Sequence, residues 1–349
     1  MTPQPMRSQT ASICHERRSR ALVSPTESHL TRTMPLITIG LTAFNAEATI
    51  GRAVDSAMAQ TWPSLEIVIV DDGSTDGTPR IIDGFRDPRI RTFHHATNTG
   101  TGAARNTVIR QAHGEAIAFF DDDDTSDPVR IQAQWERLAT YEARFANGAP
   151  VACYTARRVH YPSGDDLLHP TIATDPTTHG AHGPRLIRHL LTGAPLPGRT
   201  GEAPTCSQLA RRSTFALLGG FDPTFRRQQD TEFNVRLARA GGHIIGIDEP
   251  LVRQTITPSP DKALTLERDM GLLLLAKHSD TFEGHHSYVA SRHWLEAKYA
   301  WLRGDTKGAV HHLGLATLID PKATSNRFGR ALGSLKHHRA FRHSRASLD

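Results

Sequence analysis

The chain has 349 residues, 38% of them hydrophobic and 22% charged, which suits a globular protein of one large domain with an appendage, or of two domains. No apolar run approaches the roughly 20 residues that cross a bilayer as a helix; "GLLLLA" at 271–276 is far too short. The net charge of +5 divides into +3 over residues 1–33, +6 over residues 322–349 and −4 between them, so a basic nucleic-acid-binding face is not expected in the body of the chain.

Residues 1–33 are rich in Ser, Thr, Arg and Pro without periodicity. They read as a disordered leader, and "MPLITIG" from Met34 would make a natural start. Their arginines are followed by no apolar stretch of the secretory kind. Cys14, Cys153 and Cys206 are scattered and odd in number. That spacing suggests neither a disulfide framework nor a zinc site and points to a reducing, cytoplasmic compartment.

From residue 36 the pattern is regular. "LITIGLT" reads as a buried strand, and "AEATIGRAVDSAMAQ" places Ile50, Val54, Ala57 and Met58 at helical spacing. "LEIVIVDDGSTDGTP" is a second strand running into a turn-rich loop, with Asp76 placed to cap the next helix. "RIRTFHH" is a third strand, and "TGAARNTVIRQAHG" a helix that Gly114 would close. "EAIAFF" is a fourth strand, followed by a long amphipathic helix in "DPVRIQAQWERLATYEARF", with Asp127 as its N-cap and Pro128 at its first position. Strands alternating with helices in this way predict an α/β fold with a doubly wound, mostly parallel sheet. Ligands in such folds sit beyond the carboxyl ends of the strands. Polar clusters fall at three of those ends: Thr42 to Asn45, Asp71 with Asp72, and Asp121 to Asp124.

The last cluster, "FFDDDDTS", sets four like charges in a row that folding does not require. Asp121 and Asp123, one residue apart at a strand end, can reach a single hard cation. Mg²⁺ or Mn²⁺ is expected, because these ions take one or two carboxylates together with substrate phosphates. Asp124 is expected to accept local backbone N–H bonds. The spaced ligands, glycine and distal Glu of a helix–loop–helix calcium site are missing.

"TAFNAEATIGRAVDSAMAQTWPSLEIVIVDDGSTDGT", "NTGTGAARN", "GEAIAFFDDDD" and "GGFDPTFRRQQDTEFNVRLARAG" together resemble the inverting nucleotide-sugar glycosyltransferases of family 2, whose fold is GT-A, a Rossmann-like α/β layer. The resemblance covers roughly residues 36–255. It implies a nucleotide-sugar donor (UDP by default), a saccharide or lipid-linked acceptor, and a part in cell-surface polysaccharide or glycolipid synthesis; the basic tails and the carboxyl-terminal helices suit peripheral contact with the inner face of the membrane. It implies that Thr42, Phe44 and Asp72 line the base pocket, that Arg105 contacts the nucleotide, and that Asp121 supports metal or ribose beside the main metal ligand, Asp123. It implies that Asp230 is the base that takes the acceptor's proton. Phe44 and Ala43 depart from the family's frequent Tyr and hydroxyl residue, and Gln229 stands where a Glu is usual. Glu232 is an outside candidate for the base; core packing of Phe44, a plain surface position for Arg105 and simple helix capping by Asp230 are the bland alternatives.

Residues 156–204 are rich in His, Pro, Gly and Thr, lack firm periodicity, and read as a mobile acceptor-specificity region. His169, His179 and His182 are too irregularly spaced for a metal site. Past residue 260 the pattern is helical: "YVASRHWLEAKYAWLRG" and "TKGAVHHLGLATLIDP" resemble one helical hairpin of the tetratricopeptide kind, ended by Pro321. Trp294, Tyr299 and Trp301 are expected in its core. The organisation predicted is a leader (1–33), a GT-A domain (34–258), a helical extension (259–321) and a basic, disordered tail (322–349). A sugar-nucleotide pyrophosphorylase would need a Gly-rich, Arg/Lys-bearing loop after its first strand, which "TAFNAEATIG" lacks. A helical scaffold or nucleic-acid binder is opposed by the acidic middle of the chain.

Overall fold

The structure is a computed structural model describing residues 34–196, 201–256 and 263–333, apart from the side chains of 330–333. The expected leader, the boundary near residue 258 and the tail beyond residue 333 lie outside the described residues. The elements run β1 (Ile37–Ala43), α1 (Ile50–Met58), β2 (Leu65–Asp71), α2 (Thr78–Ile82), β3 (Ile90–His94), α3 (Thr101–Gln111), β4 (Ala116–Asp121), β5 (Thr125–Ser126) and α4 (Arg130–Tyr141). Next come β6 (Val151–His160), β7 (Asp166–His169), β8 (Ala181–His182), α5 (Gly183–Thr192), β9 (Leu209–Arg211), α6 (Arg212–Leu218), α7 (Gln229–Arg239) and β10 (His243–Thr255). Four helices follow: α8 (Leu264–Lys277), α9 (His285–Leu302), α10 (Thr306–Ile319) and α11 (Pro321–Gly333).

The main sheet has the order β3-β2-β1-β4-β9-β6-β10-β5. β3, β2, β1 and β4 are parallel neighbours, as are β6 and β10, while β9 runs antiparallel between β4 and β6. This is the expected α/β sheet. Its central strands are apolar on both faces because helices cover both. Ile37, Ile39 and Leu41 pack with Val54 of α1 and Leu138 of α4 on one side. Val68 and Val70 meet Val108 of α3, Phe215 of α6 and Phe233 of α7 on the other. Gly40 is what brings α3 so close, since a Cβ there would lie 2.3 Å from Val108 Cγ1.

Several local expectations need correction. Helix α3 stops at Gln111 with Ala112 already extended, so Gly114 is no left-handed cap. Gly114 is instead a close-approach residue: its N–H donates to Thr38 Oγ1 at 3.0 Å, and a Cβ would lie 2.5 Å from the Thr38 nitrogen. Regular helix α4 begins at Arg130 rather than beside Asp127, although the Asp127 carboxylate does accept the Val129 N–H, 3.1 Å, in the turn leading into it. The described residues of 156–204 are more ordered than their composition suggested. β6 and β7 pair as a hairpin, and α5 buries Leu186; the Gly, Pro and His around "RLIRHLL" hide its short helical period. Pro321 starts α11 instead of ending the helical region, in keeping with proline's fitness for a first helical turn. α9 and α10 form the expected hairpin, turning at Gly304 (φ 83) with Asp305 capping the Gly308 N–H at 2.8 Å. Tyr299 is buried as expected, but Trp301 is 56% exposed. Ala297 and Ala300 face inward, which turns the neighbouring Trp301 outward.

Candidate active site

Parallel register brings the carboxyl ends of the first strands to one rim. Thr42 lies opposite Asp121 across β1 and β4, Ala43 opposite Asp71 across β1 and β2, and Asp71 opposite His94 across β2 and β3. The loops after β1 and β2 are stitched together: Asn45 (φ 49) donates its N–H to Ser74 Oγ at 2.9 Å and accepts from the Thr75 N–H at 2.8 Å. Asp76 accepts the Thr78 N–H at the start of α2, 3.0 Å, and also the Glu47 N–H, 3.1 Å. Phe44 projects from this rim, 42% exposed, which rules out core packing.

Asp72 is only 3% exposed and already well engaged. Oδ1 accepts from the Thr99 N–H (3.0 Å) and hydroxyl (2.7 Å) and pairs with His95 Nδ1 (2.7 Å); Oδ2 accepts the Gly100 N–H (2.7 Å). The carboxylate therefore pins the "NTG" loop at the start of α3, and a base would meet an oxygen already held by backbone. His95, which also pairs with Thr107 Oγ1 at 2.9 Å, was missed in the sequence. Its place at the end of β3, beside the Asp71 and Asp72 strand end, was the available signal.

The acidic run resolves into four roles. Asp121 Oδ1 accepts from Arg105 Nη2 at 2.9 Å, and the Arg105 guanidinium is buried against the Phe119 and Phe221 rings. Arg105 thus faces the crevice, as expected, but holds Asp121. The Asp122 carboxylate accepts the Phe44 N–H, 3.0 Å, joining the ends of β1 and β4. Burial, then the charges of Asp123 and Asp121, push its carboxyl up to about 7 against that bond. Asp123 stays half-buried. Asp124 does not bond locally: its Oδ1 accepts the distant Thr255 N–H at the end of β10, 3.1 Å. Its Oδ2 is buried without a hydrogen-bond partner. Burial and then the Asp121 and Asp123 charges hold the Asp124 carboxyl well above the usual range.

Ligand atoms of Asp121, Asp124 and Cys206 lie within 4.8 Å of one another, the one such group of three among the described residues. Crowded carboxylates with an orphaned, buried oxygen among them fit a hard divalent cation. Cys206 suits that ion poorly: burial and then the Asp124 charge keep its thiol protonated. Asp123, expected as the principal ligand, is not in this trio; Asp121 is common to both sets. Behind them Arg130 is fully buried and donates to Ser126 Oγ, the Phe119 carbonyl and Gln134 Oε1. Burial lowers its guanidinium to about 10, opposed by the nearby Cys206, Asp124 and Asp121.

Helix α7 is docked on the same crevice by the "GGF" turn. Asn106 of α3 donates to the Phe221 carbonyl at 2.7 Å and accepts the Phe221 N–H at 2.8 Å. Gly220 must have positive φ there, 73°, and a Cβ would meet Asn106 Oδ1 at 2.3 Å. Phe221 stacks on Phe233 of α7, centroids 5.0 Å apart. Asp230, half-buried in the first turn of α7, accepts the Thr231 N–H at 2.7 Å. Phe233 and Leu237 of α7 are buried, whereas Ala240 is exposed, because the helix has ended. Glu232 is set aside as a base: it is fully buried and tied to Arg236 and Lys277.

Of His169, His179 and His182, the last two come together, ring centroids 6.1 Å apart, while His169 has other neighbours. His169 lies beside Tyr161 and Glu202, while His179 contacts Phe145 and the His182 ring lies tilted against His243, centroids 4.6 Å apart.

Comparisons with known proteins agree with this architecture. Residues 38–207 match the model for glycosyl transferase family 2. The chain is 41% identical over 113 residues to the succinoglycan biosynthesis protein ExoO of Rhizobium meliloti, 32% of each chain. Over another 113-residue match it is 37% identical to the UDP-Glc:alpha-D-GlcNAc-diphosphoundecaprenol beta-1,3-glucosyltransferase WfaP of Escherichia coli, covering 32% of this chain and 45% of that one. These matches thus span only about a third to under a half of those relatives' length. Two solved structures share the fold. S. aureus TarS 1-349 in complex with UDP-GlcNAc has a TM-score of 0.56 at 16% identity over 82% of each chain. The mannosyltransferase PcManGT of Pyrobaculum calidifontis, in complex with GDP-Man and Mn2+, has a TM-score of 0.51 at 20% identity over 90% of this chain and 85% of that one. The fold is an α/β architecture of the GT-A kind. Residues 38–207, just under half of the chain, carry the glycosyl transferase family 2 match.

Proposed function

We propose that this protein transfers a sugar from a nucleoside-diphosphate sugar, UDP by default, to an acceptor hydroxyl with inversion at C1. The observation that carries this reading is the register that lines up Thr42, Asp71 and Asp121 at one rim, with the crowded carboxylates beside it. Phe44 offers an exposed aromatic face to the base, Asp72 keeps the loop behind it in place, and Asp121 is oriented by Arg105. Mg²⁺ or Mn²⁺, when bound, supplies Lewis-acid stabilisation to the departing diphosphate; Asp121 and Asp123 would hold it, with Asp124 Oδ2 as a further oxygen. Asp230 takes the acceptor's proton as its oxygen attacks C1 and the bond from C1 to the diphosphate breaks. The relatives named for succinoglycan synthesis and for a lipid-diphosphate acceptor support a saccharide or lipid-linked acceptor in cell-surface polysaccharide or glycolipid assembly. The TarS complex with UDP-GlcNAc and the archaeal complex with GDP-Man and Mn2+ support a nucleotide-sugar donor and a divalent ion. No helix among the described residues is long and apolar enough to cross a membrane; we place the protein in the cytoplasm, peripheral to the inner face of the membrane.

The test is calorimetric titration of UDP, GDP, TDP and CDP, each with Mn²⁺ and with EDTA, into wild type and Asp123→Ala. One nucleotide should bind with Mn²⁺ only, and bind at least tenfold more weakly to the variant (a loss of roughly 1.4 kcal/mol). Folded protein that binds none of the four would defeat the reading.

A further inference from the structure

The helices after residue 263 meet the transferase half at the turn that opens α7. Gln228, directly before that helix, has a left-handed backbone, φ 61. A side-chain-bearing residue keeps such a conformation only where its surroundings over-determine it. Those surroundings come from α8. Gln228 Nε2 donates to the Glu267 carbonyl at 3.2 Å, and Arg227 faces the Glu267 carboxylate at 3.6 Å. Gly271, one turn further on, permits the approach: a Cβ there would lie 3.2 Å from Gln228 Nε2 and 2.8 Å from Leu295 Cδ2 of α9.

At the far end of α8, Lys277 joins two separate segments that flank Asp230. Its Nζ donates to Asp222 Oδ2 at 2.7 Å and to Glu232 Oε1 at 2.6 Å. Glu232 is fully buried on α7 and shares its other oxygen with Arg236 at 2.7 Å. The Lys277–Asp222 pair, on a lysine one-third exposed, adds little to global stability. The geometric effect of both pairs is specific: the "GGFD" turn and the first turns of α7 are fixed to one another and to α8.

We propose that α8 is a positioning element for the catalytic carboxylate, holding Gln228 in its left-handed conformation and bridging Asp222 to Glu232 so that Asp230 meets the acceptor in one orientation. The inference rests on the reading of Asp230 as the base. Gln228 and Lys277 act through Asp230 and are positioning residues.

The experiment compares full-length wild type with Lys277→Met, Lys277→Arg and Gln228→Ala by amide hydrogen exchange. It adds the release of nucleoside diphosphate from UDP-glucose, UDP-GlcNAc and GDP-mannose in Mn²⁺. In Lys277→Met and Gln228→Ala, amides 226–232 should exchange about tenfold faster while β1 to β4 stay protected, and kcat should fall about tenfold with the donor KM within about twofold. Lys277→Arg should restore both. Wild-type exchange at 226–232 in both variants would overturn the proposal, and so would an unchanged kcat beside faster exchange. Gln228 is not in the core, so its variant keeps the test open if Lys277→Met fails to fold. Asp230→Asn separates the two ideas: turnover surviving in that variant removes the base assignment, while the exchange at 226–232 still reports on the α8 contact.

Discussion

At the scale of single residues the site is a set of carboxylates given different tasks by their neighbours. Asp72 is saturated by a loop, Asp121 is gripped by Arg105, Asp124 is drawn inward by the Thr255 N–H, and Asp230 stands half-buried at a helix start. Glu232, two residues from Asp230, is neutralised by Arg236 and Lys277 and cannot substitute for it. Asp230→Asn is nearly isosteric and keeps an acceptor for the Thr231 N–H. It should therefore lower kcat by roughly 10²–10⁴ and leave nucleotide affinity within about twofold. Steady-state transfer assays beside titration of the nucleotide would check this, and a wild-type kcat would reject it.

At the scale of elements, α3, the "GGF" turn, α7 and α8 form a chain of contacts reaching from Arg105 to Lys277. Asn106 locks the turn to α3, the Phe221–Phe233 stack locks it to α7, and Lys277 locks α7 to α8. Partial burial would raise the Asp222 carboxyl, but the Lys277 ammonium and the Thr224 hydroxyl and N–H outweigh it and hold the group down to about 2. A carboxyl depressed in the folded state stabilises fully above its unfolded value near 3.9 and loses that contribution as pH falls through its folded value. The α8 attachment should thus weaken between about pH 4 and pH 2. Thermal unfolding should find wild type above Asp222→Asn by about 2 °C at pH 5, a surface pair being worth under ~1 kcal/mol. The gap should close by about pH 2, and a gap independent of pH would contradict the ion-pair account.

At the scale of the whole molecule, exposed apolar side chains gather toward the carboxyl-terminal helices. Val310 and Leu318, eight residues apart on one line of α10, are 71% and 82% exposed, and Trp301 and Phe328 are 56% and 48% exposed. Residues 322–349 carry a net +6. Exposed apolar side chains followed in the sequence by a basic segment suit the peripheral membrane contact proposed above. The full chain should cosediment with vesicles containing phosphatidylglycerol and not with pure phosphatidylcholine. Raising salt from about 0.1 M to about 1 M, which shortens screening from ~10 Å to ~3 Å, should release it. A Val310→Asp, Leu318→Asp double variant should bind less at low salt. Equal binding to both vesicle types would remove the electrostatic part of the proposal.

The sequence by itself determined the alternation of β1 to β4 with their helices, because runs such as "LEIVIVD" and the helical spacing of Ile50, Val54 and Ala57 are local signals. It also placed Thr42, Asp72, Asp121 and Asp230 at element ends, where turn and cap chemistry is written in adjacent residues. Tertiary structure decided what those residues touch. Only the sheet register sets Thr42 opposite Asp121, and only the return of β10 brings the Thr255 N–H to Asp124. The role of Gly114 depends on the nearness of Thr38, which no window around residue 114 contains. The coupling of α8 to the start of α7 joins residues some 40 to 55 positions apart. A hydrogen bond at that separation leaves no periodic trace in sequence, because it is set by how packed helices cross and not by the preferences of neighbouring side chains.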